Sequence, residues 1–254
     1  MYFDLQIHSK NSLCSIPEMT LGNILASAEK RQLDGVGITD HIHPTTDLEI
    51  VSDNLAVRSS LPVSRCKVWI GVETDVLDND GTITGDQELW TMSDYVLAGV
   101  HHFHLPWVQS PDSSWTTLRI IDFAHQQLIG ATENHYVHCL AHPWVGLFKY
   151  LRGFEFDYSM LPRTLVTELG HCALENNTAV EIPAWAMFRL GNEPDPDYLR
   201  YFVRPLIETG CHISTGTDAH SVNAVGKGIP ELVTMLRSEG LQLFWTPTKL
   251  AIGI

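Results

Sequence analysis

Hydrophobic and polar positions alternate at the start of the chain and then change period. Phe3, Leu5 and Ile7 alternate with Asp4, Gln6 and His8, the period of a strand, which turns Gln6 and His8 to one face. Behind Thr20, a candidate cap, Leu21, Ile24, Leu25 and Ala28 have helical spacing and predict a helix that stops near Gly35. Six further short apolar runs predict strands over 36–41, 67–73, 95–101, 136–143, 178–182 and 211–220. Helices are expected between and after them, over 47–61, 115–130, 162–176, 195–210 and 230–239. Asp78–Gly81 reads as a turn, 106–114 as a loop, 146–162 as a long aromatic loop, and the tail 242–254 as a segment that closes the fold. Alternation of this kind implies an α/β fold of parallel strands with right-handed crossovers. An open doubly wound sheet and a closed barrel both fit. In either, functional groups gather at the carboxyl ends of the strands.

The ends of these runs carry His8, His41, Glu73, His101, His142, Asp218 and His220. One histidine at a strand end is ordinary, but this set repeats the placement. Asp40 and Glu181 read equally as caps or loop acids. The other histidines, His43 and His102 among them, lack the placement consistently and read as surface or core residues. Imidazole and carboxylate are the usual ligands of zinc, manganese and iron. Seven such groups exceed what one ion needs, which points to two or three divalent ions with a carboxylate such as Glu73 bridging two of them. Closely spaced ions activate water and clamp both oxygens of an in-line displacement, the chemistry of phosphate-ester hydrolysis.

Composition narrows the setting. The 254 residues fit one large domain, with no linker or repeat to divide it. The net charge of −14 disfavours nucleic acid as a partner, while bound cations would still admit a small anionic substrate. Five scattered cysteines give no disulfide framework and fit a reducing cytoplasm. No signal peptide is visible at the N-terminus, and no apolar run approaches the ~20 residues that span a membrane.

The ordered series Asp4-Leu5-Gln6-Ile7-His8-Ser9, Ile38-Thr39-Asp40-His41, Gly71-Val72-Glu73, Gly99-Val100-His101, Ala141-His142-Pro143 and Gly216-Thr217-Asp218-Ala219-His220 resembles the PHP family, the polymerase and histidinol phosphatase domains. The resemblance runs from residue 4 to about 227 and implies one PHP-like domain over 1–254, in the stand-alone form. It implies a distorted (β/α)7 TIM-like barrel with three metal ions and phosphoesterase activity on a small phosphorylated substrate, by attack of a metal-bridging hydroxide. Carried over by residue, Gln6, His8, Glu73 and Asp218 hold one ion. Glu73, His101 and His142 hold a second, and Cys14, His41 and His220 a third. Glu73, Asp218 and His220 are the catalytic candidates.

Two positions depart from the family pattern. Gln6 replaces the first histidine of His-x-His, and a neutral amide oxygen is a weaker ligand that favours a harder ion such as manganese. Cys14 stands where the family has His or Asp, and a thiolate favours zinc. Asp40 is expected to orient a ligand histidine, and His102 or a metal-bound water to protonate the leaving group. Arg119, Arg152 and Arg189 are candidate phosphate anchors. Trp107, Trp115, Trp144, Phe148, Tyr150 and Phe154 are candidates to shape the pocket. Two other readings compete: a PHP-like barrel that keeps metal in a structural or regulatory role, and a hydrolase of amides. No lysine ends a predicted strand, which argues against the amide reading.

Overall fold

The computed structural model describes residues 1–44, 48–112, 114–150, 156–191, 193–241 and 244–247, and of 148–150 the backbone alone. Seven strands form one sheet in sequence order: β1 (Phe3–Ile7), β2 (Gly35–Ile42), β3 (Lys67–Asp75), β4 (Val96–Gly99), β5 (Cys139–Ala141), β6 (Ala179–Pro183) and β7 (Ile213–Gly216). Every neighbouring pair is parallel. The helices are α1 (Leu21–Lys30), α2 (Glu49–Ser59), α3 (Gln87–Met92), α4 (Thr117–Glu133), α5 (Val145–Tyr150), α6 (Arg163–Glu175), α7 (Ala184–Met187), α8 (Pro196–Tyr198), α9 (Arg204–Glu208) and α10 (Ile229–Ser238). Thr20 caps α1 as its sequence suggests, its side chain accepting the Asn23 N–H.

The two ends of the sheet meet, and the TIM-like barrel is nearly closed. Asp4 pins this seam: it accepts hydrogen bonds from Thr217 N at 2.8 Å, Thr217 Oγ1 at 2.7 Å and Gly226 N at 2.7 Å. Thr215 Oγ1 donates to the Phe3 carbonyl at 2.7 Å, and Ile7 bridges Ala219. The strict alternation read from β1 does not hold throughout. Pairing with β2 shifts register between Asp4 and Ile7, an irregularity that re-aims side chains. Asp4 therefore serves the seam, while Gln6 and His8 belong to the barrel interior.

Alternation along β2 to β6 builds that interior in levels. Phe3, Leu5, Trp69, Tyr95, Leu97, Cys139, Ala141 and Ala179 form its apolar part. Tyr95 lies across the middle and donates its hydroxyl to the Leu5 carbonyl. Room for that ring comes from β2 and β3. A Cβ on Gly37 would lie 1.9 Å from the Tyr95 hydroxyl oxygen, and one on Gly71 would lie 2.8 Å from its ring. Below it, Trp245 packs edge-on against Tyr95 at 5.7 Å and donates its backbone N–H to Ile213, so the described part of the C-terminal tail closes this end. The rest of the tail lies outside the described residues. Above Tyr95, the same inward faces carry Glu73, Asp75, His41 and Glu181. Val36, Ile38, Ile70 and Val72 point the other way and pack under the helices.

Four expectations change. The 146–162 loop contains a helix, α5, and a short 3-10 turn over Tyr158–Met160, while 151–155 lie outside the described residues. The seventh strand ends at Gly216, so Asp218 and His220 stand on an irregular segment beyond it. The helix expected over 195–210 widens to a π-helical turn at Leu199–Val203, because Pro205 offers no N–H to the carbonyl four residues back. Two short helices, α3 and α7, carry too few residues for a periodic signal.

Candidate metal centre

Glu73 is the hub. Its carboxylate is fully buried and meets four imidazoles. His8 Nε2 lies 3.1 Å from Oε2 and His41 Nδ1 3.5 Å from it; His142 Nε2 lies 3.1 Å from Oε1 and His101 Nδ1 3.7 Å from it. His8 Nε2 also approaches Asp218 Oδ1 at 2.9 Å. The His8 ring is stacked between His41 at 4.5 Å and His220 at 4.3 Å.

Backbone geometry at the strand ends aims these groups. His142 (φ 28°), Asp218 (φ 52°) and His102 (φ 56°) adopt left-handed conformations that side chains with a Cβ avoid. Such conformations cost on the order of 1–3 kcal/mol each and persist only where surrounding structure fixes them. The seam provides this for Asp218, since the next residue's carbonyl accepts the His8 N–H at 3.0 Å. The Glu181 carboxylate does so for His142, accepting its backbone N–H at 2.9 Å.

The charges are strongly coupled. Burial would raise the Glu73 pKa, but His41, His142 and His8 outweigh it and hold the carboxyl well below the usual range. Burial opposes a charged His8, but the bonds to Asp218 and Glu73 hold its pKa well above the usual imidazole value. The same balance, dominated on the favourable side by Glu73, raises His142 to about 9. Burial pushes His41 well below its ordinary value. Burial also lifts Glu181 to about 8.

Among the described residues, three groups each bring their donor atoms within 4.8 Å of one another: His8, Glu73 and Asp218; Glu73, His101 and His142; and His8, Cys14, His41 and His220. His41, His101 and His102 form a fourth such group. Several buried polar atoms here lack a hydrogen-bond partner, among them Gln6 Oε1, Glu181 Oε1, His41 Nδ1 and His142 Nδ1. Buried polar atoms are nearly always satisfied, so this concentration of lone pairs fits bound cations. Gln6 is fully buried beside Glu181: a Cβ on Gly216 would lie 2.1 Å from Glu181 Oε1 and 2.8 Å from Gln6 Cβ.

The centre opens into a cavity of about 690 Å³. Its lining joins imidazoles, Cys14 and Asp218 with Val145, Tyr158, Trp185, Ala186 and Arg189. Arg189 is paired with Asp195 through Nε and with Asp157 at 3.8 Å.

No protein-family model matches the chain. A probable phosphatase of Caldicellulosiruptor bescii is 24% identical over 229 residues, covering 89% of this chain and 84% of that protein. A probable histidinol-phosphatase of Thermotoga maritima is 27% identical over 237 residues, covering 92% and 91%. Among solved structures, histidinol phosphate phosphatase of Lactococcus lactis, complexed with zinc, L-histidinol and phosphate, superimposes with a TM-score of 0.65 at 16% identity. That match covers 96% of this chain and 95% of the other, and it establishes the barrel fold. Among the described residues, no helix is long and apolar enough to cross a membrane.

Other sequence expectations land differently. Asp40, expected to orient a ligand histidine, is turned outward by the alternation along β2. It accepts hydrogen bonds from Ser9, Ser12 and Asn54, and Ser12 Oγ lies 3.3 Å from His8 Nδ1, so Asp40 reaches a site histidine through a serine. Arg119 is stacked on Trp115 at 4.0 Å and does not line the cavity, and Arg152 lies outside the described residues. Trp144 is core, and Trp115 packs on Phe123. The side chains of Phe148 and Tyr150, and Phe154 as a whole, lie outside the described residues. His43 and His102 are not ordinary surface residues: both bond to Asp75, a buried carboxylate the sequence reading passed over. Its signal was present, since Asp75 follows Glu73 by two on one strand and shares its face.

Proposed function

We propose that this protein is a metal-dependent phosphoesterase of PHP type that hydrolyses a small phosphomonoester, as a histidinol phosphatase does. Two donor groups that share Glu73, with a third joined to them through His8, carry this reading. Relatives named as phosphatases over nearly the whole chain, and a zinc-bound histidinol phosphate phosphatase of the same fold, support it. The assignment of residues 1–254 to one PHP-like domain belongs with it.

Gln6, His8, Glu73 and Asp218 would hold one ion, Glu73, His101 and His142 a second, and Cys14, His41 and His220 a third. Zinc, manganese and iron all suit this donor set. Bound ions would polarise a phosphoryl oxygen and lower the pKa of water, giving a hydroxide nucleophile at neutral pH. The chain's own groups do the rest. Glu73 and Asp218 supply the negative charge that keeps cations in a buried site. Asp40, through Ser12, and the seam around Ala219 fix His8. Arg189 is the described arginine at the cavity, and it offers the phosphate a cation. Val145, Tyr158 and Trp185 exclude water around the leaving alcohol.

The test is phosphate release from histidinol phosphate and a panel of phosphomonoesters, by protein loaded in turn with zinc, manganese and iron(II). Turnover that disappears in Asp218→Ala and His142→Ala, with circular dichroism unchanged, is the expected result. No release under any metal, or full activity in both variants, overturns the reading.

A further inference from the structure

His101 lies between two carboxylates. Its Nδ1 faces Glu73 Oε1 at 3.7 Å, and its Nε2 meets Asp75 Oδ1 at 3.1 Å. A neutral imidazole has one N–H, and the position of that proton decides which nitrogen can bind a cation.

Asp75 is built to decide it. Its side chain is buried, and besides His101 it meets His102 Nδ1 at 2.7 Å, His43 Nδ1 at 3.2 Å and Trp107 Nε1 at 3.0 Å. A carboxylate only accepts, so each of these nitrogens donates. Four donors occupy about the four lone-pair positions a carboxylate offers. The backbone is fixed as well, since Asp75 N donates to Thr84 Oγ1 at 2.9 Å, and Thr84 Oγ1 donates to the Ile42 carbonyl. Asp75 thus has no lone pair to spare for an ion and little freedom to turn. Unlike Glu73, two residues earlier on the same face, it acts through its neighbours.

We propose that Asp75 is a positioning residue for the metal centre: it accepts the Nε2–H of His101 and thereby presents the Nδ1 lone pair to the Glu73–His142 group. This inference rests on the metal-dependent reading, but it concerns metal binding rather than turnover. Carboxylate partners of ligand histidines set ring orientation and basicity in this way, and losing one costs roughly 10–100-fold in metal affinity.

Two measurements test it. The first is zinc affinity of Asp75→Asn against the unaltered protein, by competition with a chromophoric chelator, with circular dichroism to confirm folding. We expect one class of site to weaken by about 10–100-fold. Phosphatase turnover, if lost at limiting zinc, should return when zinc is raised, a rescue that loss of a group acting on the substrate would not show. Affinity within a factor of about two of the unaltered protein would overturn the proposal, since that is well short of the effect such partners have. The second measurement needs no variant: nitrogen-15 NMR of the zinc-loaded protein should show His101 protonated at Nε2 and metallated at Nδ1. The opposite pattern overturns the proposal even if Asp75→Asn fails to fold. Zinc binding with the expected pattern but no phosphate-ester hydrolysis would sink the proposed function and leave Asp75's role standing. Hydrolysis by a protein whose His101 shows the reverse pattern would do the converse.

Discussion

Metal binding by this protein should be tightly linked to protons, and the size of the linkage follows from the hub. In the metal-free protein, His142 is held at about 9 by its bond to buried Glu73. A cation that uses Nε2 must displace that proton. At pH ~7, removing it from a group about two pH units higher costs ~2.7 kcal/mol, so affinity should be ~100-fold weaker than for the deprotonated imidazole. His8 is shifted in the same direction by Asp218 and Glu73, which adds a second proton to the exchange. Zinc affinity should then rise between about one and about two powers of ten per pH unit from pH ~6 to ~8. Calorimetric titration of the metal-free protein in buffers of different ionisation enthalpy counts the protons released. Metal-free stability should move the opposite way. The folded-state pKa of His142 is raised from 6.5 to about 9, so its pairing with Glu73 stabilises fully below the lower value and is lost as pH rises through the higher one. That contribution is about 3 kcal/mol from the shift alone. Zinc affinity flat across this range, with no buffer-dependent heat, would refute the assignment of a protonated His142 hydrogen-bonded to Glu73.

Two further substitutions probe the hub and the barrel beneath it. Glu73→Gln removes the shared carboxylate, leaving buried His142 without its paired carboxylate and His8 with Asp218 alone; breaking such a buried pair costs about 3–5 kcal/mol, so the metal-free protein should melt well below the unaltered one and mass spectrometry should find at least one fewer ion bound. Retention of every metal equivalent would contradict Glu73 as the common ligand. Gly37→Ala places a Cβ 1.9 Å from the Tyr95 hydroxyl oxygen, which is tied to Leu5, and overpacking of this kind costs about 1–3 kcal/mol. An unchanged melting temperature would mean that the barrel interior is less filled than this geometry requires.

Much of this arrangement was legible in the chain because strands have a period of two and parallel strands present their carboxyl ends to one side. Trp69, Gly71, Glu73 and Asp75 alternate with Val68, Ile70, Val72 and Thr74, which assigns Glu73 to the interior before any contact is known. Other residues resisted the same logic. Asp40 adjoins His41 in sequence, yet one step along a strand is a change of face, so it reaches a site histidine, His8, only through Ser12. His102, Asp218 and His220 lie just past regular strand, where left-handed backbone at His102 and Asp218, not alternation, sets direction. Asp4 reads as a face-mate of Gln6 and His8, but a register shift gives it to the seam. Trp185 and Tyr158, which wall the cavity, come from short segments with no periodic signal.

The sequence by itself determined the alternation of strands and helices, the apolar faces, and which chemical groups stand near the strand ends, because these depend on local spacing. Closure of the barrel, the meeting of four imidazoles on one buried carboxylate, and the capture of three of the chain's histidines by Asp75 were decided only by tertiary structure. They join residues as much as 222 positions apart, as between Asp4 and Gly226, and depend on the twist and register of seven strands at once. Local propensity carries no information about such distances.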